Sequence, residues 1–314
     1  MLNPNEINVE GQTAITSVNV DNSAIDVIDS PQGEIGGEIT GVDVKMLTPA
    51  SEEIKIIREA IYRNKLVVIR NQPLNTKEYI AFTKLIGTPQ VYFQPQYHHP
   101  DHPEIFVSTN ISDNGKKVGV SGTGRYWHTD CSFEKHPLSL TSIRPVVLPN
   151  SVRGTYYMNM AKVYEALPSE LREFADSAIA IHQGQLRYKV QACDIDRSLH
   201  ELLEQIDREV PPVEHPAVIT HPATGDKILY VNRGFTTKFK GLSFEENQEM
   251  LEAILSFSEQ EKFVHLHRWE ENDLIIWDNR YLNHMSVEIP PGELNKSYRI
   301  GIYDEYPFYQ GIHQ

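Results

Sequence analysis

Apolar residues fall into short, regular groups from Gly33 onward, and before it they do not. Residues 1–30 are rich in Asn, Asp and Ser with scattered Val and Ile, so we expect an N-terminal extension there and one domain over residues 31–314. Thr48-Pro49 and Ser51-Glu52-Glu53 place a proline and two acids at a helix start. Ile54, Ile57 and Ile61 then recur at helical spacing, which predicts a helix ending near Asn64. The run Leu66-Val67-Val68-Ile69 is too short for a buried helix and predicts a buried strand. A second helix is expected from about Thr76 to Ile86, with Phe82 and Ile86 inward and Gly87 as its stop.

Past Gly87 the pattern shortens. Candidate strands lie at 105–108, 138–143, 154–158, 178–182, 217–221, 228–231, 263–267, 274–277 and 298–303, separated by Pro, Gly or Asn. Two helices interrupt them. One spans 162–177; the other starts at Ser243, where Glu246 completes a capping box, and runs through Leu251, Ile254 and Leu255. The expected class is α+β, mainly β, a sandwich of strands with helices packed outside. The pattern does not give the strand order.

Charge narrows the function. Lys and Arg number 29 against 43 Asp and Glu, a net charge of −14. Phosphate binding wants basic patches, so nucleic acid and anionic membrane surfaces are poor partners. No run approaches the ~20 apolar residues of a spanning helix, and the polar, acidic first ten residues do not read as a secretory leader. Cys131 and Cys193 form no Cys-x-x-Cys pair and read as reduced thiols of a cytoplasmic protein. A homo-oligomer is compatible with all of this.

Thirteen histidines make a metal site worth testing. A non-haem Fe(II) site needs two imidazoles and one carboxylate on one face of the ion. His-x-Asp on a strand points both ligands the same way. Three such pairs occur: His99-Pro100-Asp101, His102-Pro103-Glu104 and His128-Thr129-Asp130. Proline between the ligands suits a turn better than a paired strand, so the third pair ranks first. A distant third ligand is available in His284, beyond the apolar run 274–277 and a turn. On a strand, Cys131 would point away from Asp130 into the core. His265-Leu266-His267 is another same-face pair, without a carboxylate at useful spacing, and reads as structural. An oxidisable dicarboxylate co-substrate would need a buried cation, and Arg299 is the only arginine after His284. Thr155 could add a hydroxyl to the same carboxylate. The residues alone leave two other classes open: a zinc hydrolase on the same ligands, and a non-catalytic sandwich that binds a small acid.

Four segments together resemble the TauD/TfdA family of Fe(II)/2-oxoglutarate-dependent dioxygenases: Trp127-His128-Thr129-Asp130, Arg153-Gly154-Thr155-Tyr156, the stretch Tyr230 to Thr236, and Trp277-Asp278-Asn279-Arg280 running to His284. The resemblance implies a double-stranded β-helix, a jelly-roll or cupin-like core. It also implies Fe(II) on His128, Asp130 and His284, and 2-oxoglutarate on Thr155 and Arg299. O₂ would be the oxidant and succinate and CO₂ the coproducts, with a small carboxylate or amino-acid-type molecule as substrate. Thr155 lies 25 residues past Asp130, as the family pattern expects, and Arg299 lies 15 past His284. That longer spacing and the stretch Gln96 to Phe106 resemble a narrower branch, the isonitrile synthases, which oxidise an N-carboxymethyl β-amino acid or its acyl form. The likeness implies substrate contacts from Tyr92, Tyr97 and Lys189, with His98 and Arg153 beside them. Phe93 and Gln191 depart from that branch, which keeps a hydroxylase or desaturase of a taurine-like or amino-acid substrate as the alternative.

Overall fold

A computed structural model describes residues 25–311 apart from 32–33, 114 and 191–193. Most of the expected N-terminal extension, together with Gln191 and Cys193, therefore lies outside the described residues. Residues Asp26–Ile28, inside the expected extension, pair antiparallel with Gly37–Thr40 and form one edge of the larger sheet.

The apolar run Leu66–Ile69 explains how the domain is layered. Alternate residues of a strand face opposite sides. Leu66 and Val68 enter one apolar core, while Val67 and Ile69 enter another. Leu274 to Trp277, paired antiparallel to this strand, divides the same way, with Ile275 and Trp277 on one side and Leu274 and Ile276 on the other. Both faces are covered, so both strands are apolar throughout. Among the described residues the larger sheet has nine strands, ordered Asp26–Ile28, Gly37–Thr40, Leu66–Ile69, Leu274–Asp278, Leu140–Val147, Lys296–Tyr303, His102–Thr109, His98–His99, with Thr88–Pro89 also on Lys296–Tyr303. Its outer face packs on the helices Glu52–Asn64 and Thr76–Ile86, through Ile57, Ile61, Phe82 and Ile86. Full burial of each such side chain contributes roughly 1.5–3 kcal/mol. Gly87 ends the second helix as expected, but for a different reason. Its backbone is extended, and a Cβ there would sit 2.3 Å from the Tyr303 carbonyl oxygen.

The inner face meets a three-stranded sheet with Gly154–Asn159 at its centre, flanked by Val264–Arg268 and Leu282–Ser286. These two sheets make the jelly-roll, and the functional side chains lie between them.

Several elements differ from the sequence pattern. The helix expected over 162–177 is two, Met160–Ala166 and Ser169–Ser177, because Pro168 forces Leu167 into an extended conformation. Leu199–Glu209 is a further helix with a capping box from Ser198 and Glu201. The Pro100-Asp101 turn joins two strands, His98–His99 and His102–Thr109, so this stretch is a hairpin with Pro103 near the sheet edge. Leu282–Ser286, which carries His284, is a strand the pattern did not single out. Among the described residues no helix is long and apolar enough to cross a membrane.

Candidate active site

His128, Asp130 and His284 converge, with one potential ligand atom from each inside a 4.8 Å cluster. The first pair does not ride on a strand, as its spacing suggested. His128 makes a single two-hydrogen-bond bridge to His284, 3.0 and 2.7 Å, and the chain then turns at Asp130. This bridge puts both imidazoles on the inner face with ring centroids 4.2 Å apart. Cys131 packs in a small apolar core with Phe133, Leu138, Val210 and Phe235, as expected, but from a turn and not a strand: its φ is a left-handed 56°, and it also borders a cavity beside the triad.

The surroundings hold each ligand in place. His128 Nδ1 lies 2.8 Å from the Tyr126 carbonyl, which can only accept, so Nδ1 donates and Nε2 keeps its lone pair for a metal. Two glycines bracket this ring. Gly234 leaves no room for a Cβ, which would fall 2.8 Å from the His128 Cβ, and Gly124 has φ +67° with its Cβ position 3.1 Å from His128 Cε1. Asp130 accepts from the Thr141 hydroxyl at 2.7 Å and from Arg299 Nη1 at 2.6 Å. Behind Thr141, the Asn279 amide donates to its hydroxyl and the Trp277 indole donates to Asn279 Oδ1, both at 2.9 Å. Burial opposes the Asp130 charge, but the Arg299 guanidinium and other neighbours, Thr141 among them, hold its carboxyl down at about 2. Burial, reinforced by His128, pushes His284 down to about 3, and burial also lowers His128. Two neutral imidazoles and an ionised carboxylate on one side fit a 2-His-1-carboxylate iron(II) ion.

The triad lies at the junction of two cavities. The inner one spans about 500 Å³, its opening included, and is lined by Thr155, Arg153, Trp269, Ser286, Ser297 and Arg299 beside His128 and His284. Thr155 faces Ser286 directly across the smaller sheet, which places both hydroxyls on its inner face. The outer cavity, about 710 Å³ including its open mouth, is walled by Tyr92, Tyr97, Phe106, Tyr126, Phe133 and Phe235. Tyr92 and Tyr97 stack at 5.8 Å.

A strap containing Gly184, Arg187 and Lys189 crosses the outer cavity. Arg187 stacks on Tyr126 at 4.0 Å and donates to the carbonyls of Gly234 and Arg233, both at 3.2 Å. Lys189 Nζ donates to the carbonyls of Ser121 and Gly122 at 2.6 and 2.8 Å.

Of the expected substrate residues, Tyr92, Tyr97 and Lys189 therefore line the outer cavity. His98 and Arg153 do not. The His98 ring is tied to the Tyr92 carbonyl at 2.7 Å, and Arg153 belongs to the inner cavity. Thr141, Asn279, Arg187 and Trp269 escaped the sequence reading. Arg187, two residues before Lys189, is the one whose position offered a hint. Asp278 and Arg280, from the fourth of the resembling segments, are framework. Arg280 is fully buried and joins Asp278 at 3.3 Å, Asp304 at 2.8 and 2.9 Å, and the Phe308 carbonyl at 2.7 Å.

A facial His-Asp-His centre between the sheets of a jelly-roll defines a non-haem iron oxygenase. Residues 27–299 match the Taurine catabolism dioxygenase TauD, TfdA family, and the chain belongs to it. It is 30% identical over 258 residues to the alpha-ketoglutarate-dependent sulfate ester dioxygenase of Pseudomonas putida, covering 82% of each chain. It is 29% identical over 244 residues to an alpha-ketoglutarate-dependent 2,4-dichlorophenoxyacetate dioxygenase of Cupriavidus pinatubonensis, covering 74% of this chain and 83% of the relative. Among solved structures, a taurine dioxygenase from Burkholderia xenovorans superposes with a TM-score of 0.74 at 25% identity, over 93% of this chain and 94% of that one. The protein is a 2-oxoglutarate-dependent dioxygenase, an oxidoreductase whose metal is Fe(II). The zinc-hydrolase and binding-module classes are thereby set aside.

Proposed function

We propose that this dioxygenase hydroxylates a carbon next to the anionic head of a small organic acid whose apolar body fills the outer cavity. One observation carries the reading: on one side the triad faces a cavity bordered by the Arg153 and Arg299 guanidiniums and by Thr155, Ser286 and Ser297, and on the other a cavity walled by aromatic rings. The inner cavity suits 2-oxoglutarate, with Thr155 and a guanidinium for its distal carboxylate. The aromatic walls suit the substrate body, and Arg299, at the boundary, suits its acid. The sulfate ester and aryloxyacetate named for the relatives are both apolar groups carrying an anion, which supports hydroxylation.

When bound, Fe(II) with 2-oxoglutarate supplies the activation of O₂ that the oxidation needs, with succinate and CO₂ as coproducts. The chain's own part is positioning and exclusion of water. His128 and His284 offer neutral nitrogens, and Asp130 offers the charge. The aromatic walls keep the reacting carbon dry, and the strap held by Arg187 and Lys189 covers it. Isonitrile formation, the narrower reading, finds no support in the named relatives, and the Lys189 ammonium assigned there to a substrate carboxylate is engaged by two backbone carbonyls.

The test is anaerobic addition of Fe(II), then 2-oxoglutarate, watched for a visible charge-transfer band that needs both. Aerobic turnover against alkyl sulfates, sulfonates and aryloxyacetates follows, with succinate and product mass measured. Succinate formed in step with a product carrying one added oxygen, or its fragments, is the expected result. A product that has lost CO₂ and hydrogen from an N-carboxymethyl amino acid, with the other acids inert, would refute it.

A further inference from the structure

Two guanidiniums border the inner cavity, Arg153 buried and Arg299 half-buried, and they are not equivalent. Arg299 already has a counter-charge, Asp130 Oδ1 at 2.6 Å. Its guanidinium lies over Phe106 at 4.2 Å and near Tyr92 at 5.8 Å, both walls of the outer cavity. Arg153 has only neutral partners. It stacks on Trp269 at 4.1 Å, its Nε donates to Asn295 Oδ1 at 3.2 Å and its Nη1 to the Gly154 carbonyl at 2.9 Å. Among the described residues no carboxylate comes within ion-pair distance of it, although the side chain is only 7% exposed. Burial, with Arg125 adding to it, pulls its pKa down to about 10. A buried cation without an anion is costly to keep, and it persists where an anion is meant to arrive. The cavity beside it holds two further donors with nothing to donate to: Trp269 Nε1 and Ser297 Oγ are both buried and unpartnered among the described residues, and both residues line the inner cavity.

We infer that Arg153, with Trp269, Ser297 and Thr155 around it, receives the distal carboxylate of 2-oxoglutarate, and that Arg299 is left for the substrate's anion. This reverses the assignment that the family resemblance gives to Arg299. It rests on the dioxygenase reading above. A planar guanidinium accepts a carboxylate through two parallel hydrogen bonds, and the indole and hydroxyl donors supply the rest of its lone-pair demand. Arg153 immediately precedes the strand Gly154–Asn159 that carries Thr155, and that strand pairs with the one carrying His284, so one short segment sets the carboxylate's position relative to the iron ligands.

The test compares two keto acids on the Fe(II)-loaded, full-length protein without oxygen. 2-Oxoglutarate and 2-oxopentanoate share the chelating end and chain length; the second lacks the distal carboxylate. Affinities are read from the charge-transfer band for wild type, Arg153→Gln and Arg299→Gln. Wild type should prefer 2-oxoglutarate by at least about thirtyfold, the effect of removing one partner of a buried charge pair. Arg153→Gln should erase that preference, and Arg299→Gln should keep it while raising the substrate's KM. Preference retained in Arg153→Gln, or lost in Arg299→Gln, overturns the assignment. If Arg153→Gln does not fold, Trp269→Phe decides: it keeps the ring and should cut the preference several-fold, and an unchanged preference counts against the inference. Wild type that binds neither keto acid would instead sink the dioxygenase reading itself.

Discussion

Replacing Thr141 by valine removes one hydroxyl and keeps the side chain's shape. That hydroxyl donates to Asp130 Oδ2 at 2.7 Å and accepts from the Asn279 amide at 2.9 Å. The direction of this chain is fixed by Trp277, whose indole N–H can only donate, so Asn279 Oδ1 accepts and its amide must donate onward. All four residues are buried. A hydrogen bond to a charged group is worth about 1.5–3 kcal/mol, and a stranded buried donor costs about 1–3 kcal/mol. Because one hydroxyl serves both roles, we expect a combined loss of about 2–4 kcal/mol in unfolding free energy. Metal affinity should fall roughly 10–100-fold, the usual range for removing a group that orients a ligand. Thr141 is also one of the groups that hold the Asp130 carboxyl low, so protons should compete with the metal at higher pH in the variant. Urea unfolding of the metal-free protein gives the first number, and metal titration at several pH values gives the second. Thr141→Ser should stay close to wild type. A loss under about 1 kcal/mol together with unchanged metal affinity would refute the reasoning.

Two other outcomes follow from the same structure. Burial, with His267 beside it, pushes His265 from its ordinary 6.5 down to about 4. A depressed histidine gives stability that is complete above pH 6.5 and is lost as pH falls toward 4. The ring is partly exposed, so the full swing is on the order of 2 kcal/mol, and His265→Gln should flatten the acid limb of the stability curve by that amount. An unchanged limb in urea unfolding at stepped pH would contradict this. Gly234→Ala should force His128 or Tyr126 to move, since the added carbon meets both at 2.8 Å. We expect about 1–3 kcal/mol of destabilisation and weaker metal binding by titration; wild-type values for both would show that the contact relaxes freely.

Local rules made part of the molecule readable and long-range contacts hid the rest. The helices at 52–64 and 76–86 carry their own start and stop signals, and the run at 66–69 is apolar because both faces are covered. The metal ligands were legible because iron chemistry restricts residue types and spacing. Their local geometry was not. His-x-Asp resembles a strand pair, yet one bridge to His284, 156 residues on, decides the backbone there. The turn that follows gives Cys131 a left-handed φ, which no spacing rule predicts, although its place in an apolar cluster was legible. Leu282-Asn283-His284-Met285-Ser286 lacks a clear alternation, so its strand is a consequence of pairing with Gly154–Asn159. Pro168 carries the local signal for the break at 162–177, and the expectation of a single helix there passed over it. The environment of Arg153 depends on Trp269 and Asn295, both more than a hundred residues away, and no spacing rule reports such a contact.

The buried link from Arg280 to Asp304 and the Phe308 carbonyl bears on how the protein is made. Synthesis is vectorial. A nascent chain that has emerged only to Tyr303 contains all three metal ligands and both cavity arginines. It contains Asp278 but not yet Asp304, Pro307 or Phe308, whose oxygens accept most of the Arg280 hydrogen bonds, so the turn leading into His284 has a buried guanidinium with most of its acceptors missing. The iron centre is therefore completed by residues 304–308, and an arrested chain ending at 303 should hold metal poorly although every ligand is already present.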